Sequence, residues 1–128
     1  MRNKSEYRNK YVYRNMKKYD LEERTFKFAE KVRDYIDKLP KTTTNIEIGR
    51  QLVRSAGSVG ANYIEANESL GKKDFLMRIK ISRKEAKESR YWSRLSKPRQ
   101  EEEKTKEFLT KESTELMNIF GSILHKST

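Results

Sequence analysis

From Leu21 onward, apolar residues recur at intervals of three and four, the period of one face of an α-helix. Leu21, Phe28, Val32, Tyr35 and Leu39 form the first stripe. Thr25 fills its gap, and Phe26, Ala29 and Ile36 widen the face. The pattern predicts a helix over 20–39, opened by a capping box of Asp20 and Glu23 and stopped ahead of Pro40. A second helix is expected over 44–67, with Thr44 and Glu47 as its capping box. Ile48, Leu52, Ala56, Val59 and Tyr63 make one seam there; Val53, Gly57, Gly60 and Ile64 make the neighbouring one. Each interior glycine costs about 1 kcal/mol relative to alanine. The simplest compensation is close approach of another helix, which makes Ala56, Gly57, Val59, Gly60 and Tyr63 the expected packing residues. A loop at Gly57 is the alternative, and the unbroken period favours the helix.

The third helix is expected over 72–96, with Gly71 as N-cap and Asp74 in its first turn. Phe75, Leu76, Ile79, Ser82, Ala86, Ser89 and Leu95 mark its inner side, with Ile81 and Trp92 on the shoulder. The fourth spans 98–125, with Pro98 at the first position and Glu101, Glu102 and Glu103 at the positive end of the helix dipole. Its stripe runs through Phe108/Leu109, Leu116, Ile119/Phe120 and Ile123/Leu124. Residues 1–19 have no such stripe; Arg and Lys are interspersed there with Tyr7, Tyr11, Tyr13 and Tyr19, as in a flexible basic arm. Residues 126–128 are expected as a frayed tail. Four helices joined by short turns imply an all-α, antiparallel, up-and-down four-helix bundle.

Composition sharpens this picture. A chain of 128 residues fits one domain. With 34% hydrophobic and 38% charged residues it suits thin amphipathic helices with wide solvated faces. Five glycines and two prolines are too few for a many-stranded β fold. The absence of cysteine excludes disulfides, thiolate metal sites and thiol nucleophiles, and fits a reducing cytoplasm. No apolar run reaches the roughly 20 residues that span a bilayer, so no membrane association is expected. The basic N-terminus lacks the apolar core of a secretory signal. The formal charge of +11 attracts polyanions, though a charged surface also serves plain solubility.

Much of that charge lies on the third helix. Lys80, Arg83, Lys84, Lys87, Arg90 and Arg94 follow three-and-four spacing and form one basic stripe suited to tracking RNA or DNA phosphates. A solvated face, partly neutralised by Glu85 and Glu88, is the plainer reading, with Lys84 and Glu88 spaced as an i,i+4 pair. The tyrosines of the arm resemble a stacking-plus-charge strip for single strands; disorder, or cover for a neighbouring subunit, is the alternative. Asn62, Glu65 and Glu68 lie one turn apart, but no Glu-x-x-His exists and His125 is the only histidine, so no metal site is expected. Those groups are expected to bond Arg54, Arg83 or Arg90. Ser55, Ser58 and Ser89 have no base near them in sequence, and no phosphate-binding glycine motif is present. Neither catalytic residues nor a cofactor are expected, so the chain reads as a non-enzymatic adaptor or, alternatively, a protein-binding scaffold with no nucleic-acid role.

The run from Ile46 to Ala66, with Lys73-Asp74-Phe75-Leu76, Ile79, Lys84-Glu85-Ala86-Lys87-Glu88-Ser89 and Tyr91-Trp92, resembles the four helix bundle protein family. These bacterial proteins are also called 23S rRNA intervening-sequence proteins, because some are encoded inside insertions in 23S rRNA genes. The match covers roughly Leu21 to Leu95. The resemblance implies a protomer that assembles into a ring-like homopentamer. It extends distantly to the accessory variability protein of diversity-generating retroelements, a basic pentamer that associates with a reverse transcriptase and nucleic acid. Partners implied in this way are further copies of the chain, RNA or DNA, and a co-encoded protein. Ser93 and Ser96 depart from the family pattern, where larger apolar residues are expected, which implies looser contact between helices three and four at that end.

Overall fold

The computed structural model describes the backbone of residues 4–127 and the side chains of residues 20–127. Four helices make up the described chain: α1 (Lys4–Asp37), α2 (Thr43–Asn67), α3 (Lys72–Leu95) and α4 (Glu103–Ser127), the last preceded by a 3-10 turn at Gln100–Glu102. Helix α2 packs closely on α3, and α3 on α4; α1 packs on α2 and only sparsely on α4. Among the described residues there is no strand.

The core is built from the stripes that the period marks. Phe28, Val32 and Tyr35 of α1, Leu52, Ala56, Val59 and Tyr63 of α2, Ile79 and Ala86 of α3, and Leu109, Leu116 and Phe120 of α4 are all buried. Several expected positions lie elsewhere. Phe26 is 60% exposed and Leu95 52% exposed, so neither belongs to the inner side. At 3.6 residues per turn, the inward line through Ile79, Ala86 and Ser89 continues into Ser93 and Ser96. Both serines are buried. Ser96 Oγ is 2.6 Å from the Tyr35 hydroxyl and donates to the Ser93 carbonyl at 2.7 Å, so a polar junction occupies the place of an apolar plug.

The glycines of α2 divide. The helix is continuous through Ser55–Ala61, as the period requires. A β-carbon on Gly60 would lie 3.0 Å from Thr25 Oγ1 and 3.2 Å from Thr25 Cβ, so the close approach of α1 is real there. A β-carbon on Gly57 would meet nothing within 4 Å, and Gly57 faces outward, so it is not a packing residue within the protomer. Contact between α2 and α3 uses hydroxyls: Ser55 Oγ lies 2.9 Å from Ser89 Oγ, and Ser82 Oγ donates to the Val59 carbonyl at 2.9 Å.

Helix ends need correction at four places. First, α1 begins at Lys4, so Asp20 is an interior residue and not an N-cap. Helix propagation needs no apolar stripe: residues 4–37 contain no Gly or Pro and are rich in Lys, Arg and Glu, which propagate helices well. The side chains of the expected arm, its four tyrosines included, lie outside the described residues. Second, Thr42 and not Thr44 caps α2, accepting from the Asn45 amide. Third, Pro98 does not start α4. Residues 97–99 are non-helical and are tied down by Asn45, whose Nδ2 donates to the Pro40 and Lys97 carbonyls while its Oδ1 accepts from the Lys97 amide. Fourth, α4 continues to Ser127, past the expected end at His125; His125 and Lys126 in its last turn complement the dipole. Thr128 lies outside the described residues.

Candidate nucleic-acid interface

Helix α3 sorts its charges by flank. On the flank towards α2, Glu88 Oε2 accepts from Arg54 Nη2 at 2.8 Å. Glu85 is buried beside it, its Oε2 3.6 Å from Arg54 Nη1, too long for a hydrogen bond. Burial, reinforced by the neighbouring Glu88, holds the Glu85 carboxyl above the usual carboxylate range; Arg54 and Lys84 oppose the shift. Nearby, Arg78 Nη1 donates to Asn62 Oδ1 at 3.0 Å. The partners expected from sequence are therefore rearranged. Arg54 takes the carboxylates of α3 in place of Glu65 or Glu68, and Asn62 takes Arg78. The Lys84–Glu88 pair does not form, because Glu88 is engaged across the helix interface.

The other flank is cationic. Lys80, Arg83, Lys84, Lys87, Arg90 and Arg94 fall within roughly 120° of arc at helical geometry. Five are exposed and Arg90 is half-buried. Among the described residues none of the six holds an ion pair. Arg83 lies against α4, where a β-carbon on Gly121 would sit 3.6 Å from its Nε, an ordinary contact distance. Tyr91 lies on the same side, 58% exposed, a feature that the apolar period alone does not single out.

Two acids of α4 are held by α1. Arg24 forms a fork on Glu112, with Nε to Oε2 at 2.8 Å and Nη2 to Oε1 at 2.6 Å, and reaches Glu115 at 3.1 Å. This ion-pair group joins α1 to α4. A cleft of about 1290 Å³ also runs between these helices. It is lined by both signs of charge, Lys27, Lys31 and Lys126 alongside Glu30, Asp34 and Glu102, and has no single-sign field to draw a polyanion. Among the described residues no group of three or more His, Asp or Glu is placed to hold a metal ion, and no helix is long and apolar enough to cross a membrane.

The family described as 23S rRNA-intervening sequence protein matches residues 17–122. A crystal structure of a protein with unknown function from the S23 ribosomal protein family of Bacteroides thetaiotaomicron is similar, with a TM-score of 0.73 and 26% identity, over 85% of this chain and 98% of that one. No curated protein matches.

Proposed function

The chain belongs to the 23S rRNA-intervening sequence protein family, and from that premise we propose that it is a non-enzymatic, cytoplasmic, oligomeric adaptor whose α3 surface binds RNA. The observation that carries this reading is the charge sorting on α3. Six cations on one flank hold no ion pair among the described residues, while Glu85 and Glu88 of the same helix are turned to the other flank and engaged by Arg54. A stripe neutralised by neighbouring acids has little left to offer a phosphate backbone, and among the described residues no ion pair neutralises this one. Arginines in it can grip phosphate oxygens with two parallel hydrogen bonds.

The protomer in this proposal is an antiparallel up-and-down bundle. Descending contact pairs support that order: Ser55 with Ser89, Val59 with Ser82 and Asn62 with Arg78 between α2 and α3, and, between α1 and the segment of α4 with its preceding 3-10 turn, Lys38 with Glu102 and Arg24 with Glu112. Assembly into a ring, five-membered as in the family resemblance, is supported by an exposed apolar line on α2. Ile46, Val53 and Ile64 lie on one face, with the open Gly57 among them. Several copies of a weak basic stripe engaging one RNA together would gain avidity of about 10²–10⁴ over a single site.

The test is charge reversal at Lys80, Lys87 and Arg94, which are exposed and make no ion pair among the described residues. The triple glutamate variant is expected to keep its helical circular dichroism and to lose roughly tenfold or more in affinity for a structured RNA near 0.1 M salt. Equal binding by the variant removes α3 as the site. Retention of an acidic protein in place of RNA favours the scaffold reading.

A further inference from the structure

Tyr91 is not explained by packing. Its ring is 58% exposed, on a helix whose inner face is complete without it. It follows Lys87 by four residues and precedes Arg94 by three, so both cations share its face. Lys84, two turns back, lies on the same side. The ring is also braced. It packs against Trp92 nearly at right angles, with centroids 5.0 Å apart and planes at 84°. Trp92 is itself half-buried and packed against the core. A ring held this way has already lost much of the freedom that a surface tyrosine gives up on binding, and more than half of the residue stays exposed to solvent.

We propose that Tyr91 is a base-stacking platform that makes the α3 surface prefer single-stranded over duplex nucleic acid. The inference rests on the polyanion reading of α3 and adds the class of strand. The cationic stripe from Lys80 to Arg94 extends about 21 Å at 1.5 Å per residue. It can track the backbone of a few nucleotides while one unstacked base lies on the ring. In a duplex the bases are stacked on each other and present only phosphates and groove edges, so Tyr91 adds nothing there. Stacking is tolerant of sequence because every base has a π-face, and cations around the ring strengthen it. An apolar protein partner is the poorer fit, since Lys84, Lys87 and Arg94 would have to be desolvated around the ring.

The experiment compares the full chain with its Tyr91→Ala and Tyr91→Phe variants. Each is titrated with a single-stranded RNA of ~12 nucleotides, and with the same strand annealed to its complement. Wild type is expected to favour the single strand. Tyr91→Ala should lose about tenfold in single-strand affinity with duplex affinity unchanged, whereas Tyr91→Phe, which keeps the π-face, should stay within roughly twofold of wild type. Trp92, the only tryptophan, provides a second readout. Its emission should respond to single-strand binding in wild type and Tyr91→Phe, and not in Tyr91→Ala. Equal affinity for both RNA forms together with an unchanged Tyr91→Ala overturns the stacking role and leaves the polyanion reading standing. Failure to bind either RNA at low salt overturns both.

Discussion

At the scale of single residues, the two glycines of α2 make opposite claims. Thr25 is fully buried and its hydroxyl is bonded to the Leu21 and Glu22 carbonyls, so it cannot swing away from a new methyl group at position 60. Gly60→Ala is expected to destabilise by about 1–3 kcal/mol through overpacking, which outweighs the ~1 kcal/mol gained in helix propensity. Gly57→Ala meets open space and is expected to gain up to about 1 kcal/mol. Urea melts of both variants check the pair, and matching shifts would contradict the geometry. Glu85 gives a pH signature. Its raised pKa means that the folded state holds this proton to higher pH than the unfolded chain does. The stability it confers is intact below the ordinary carboxylate range and is lost as pH rises through the folded-state value. Glu85→Gln removes that dependence. The variant should be more stable than wild type at neutral pH, with the difference closing on acidification; thermal melts across pH would show it, and an advantage that widens towards acid would refute it. Sequence marked Gly60 through the cost of a helical glycine. It did not separate Gly57 from Gly60, because the period assigns both to one seam and only the arrival of Thr25 distinguishes them.

At the scale of elements, periodicity located all four helices, since each buries a stripe against its neighbours. It misplaced the ends where other forces decide. The start of α1 is a matter of propensity without burial, and a stripe-based reading cannot see it. The starts of α2 and α4 depend on Asn45, a contact between segments 52 residues apart in sequence. Asn45 is buried and binds the α1–α2 and α3–α4 connections into one unit. Asn45→Ala leaves the Lys97 amide and carbonyl without these partners and is expected to cost about 2–3 kcal/mol. Asn45→Asp keeps the acceptor for the Lys97 amide but sets a carboxylate oxygen against two carbonyls, and should not restore stability. Denaturant titration of the two variants distinguishes this clamp from a merely surface-exposed asparagine, which would give changes within about 0.5 kcal/mol. The basic stripe itself was fully legible, because six residues at helical spacing need no tertiary information. That it holds no ion pair among the described residues was not, because that depends on where the acids of neighbouring helices lie in space.

At the scale of the whole molecule, part of the surplus of positive charge is grouped on one face of α3. Ion pairs join α2 to α3 and α1 to α4, and six of the cations outside those pairs share the outer flank of α3. The proposed polyanion surface rests on that grouping, which solubility alone does not require. The most direct measurement is the salt dependence of affinity for single-stranded RNA, wild type against the Lys80, Lys87 and Arg94 charge-reversal variant. Each phosphate neutralised contributes roughly −0.7 to the slope of log K against log salt, so the variant's slope is expected to be shallower by about 2 or more. Identical slopes for the two proteins would contradict a phosphate-tracking role for α3.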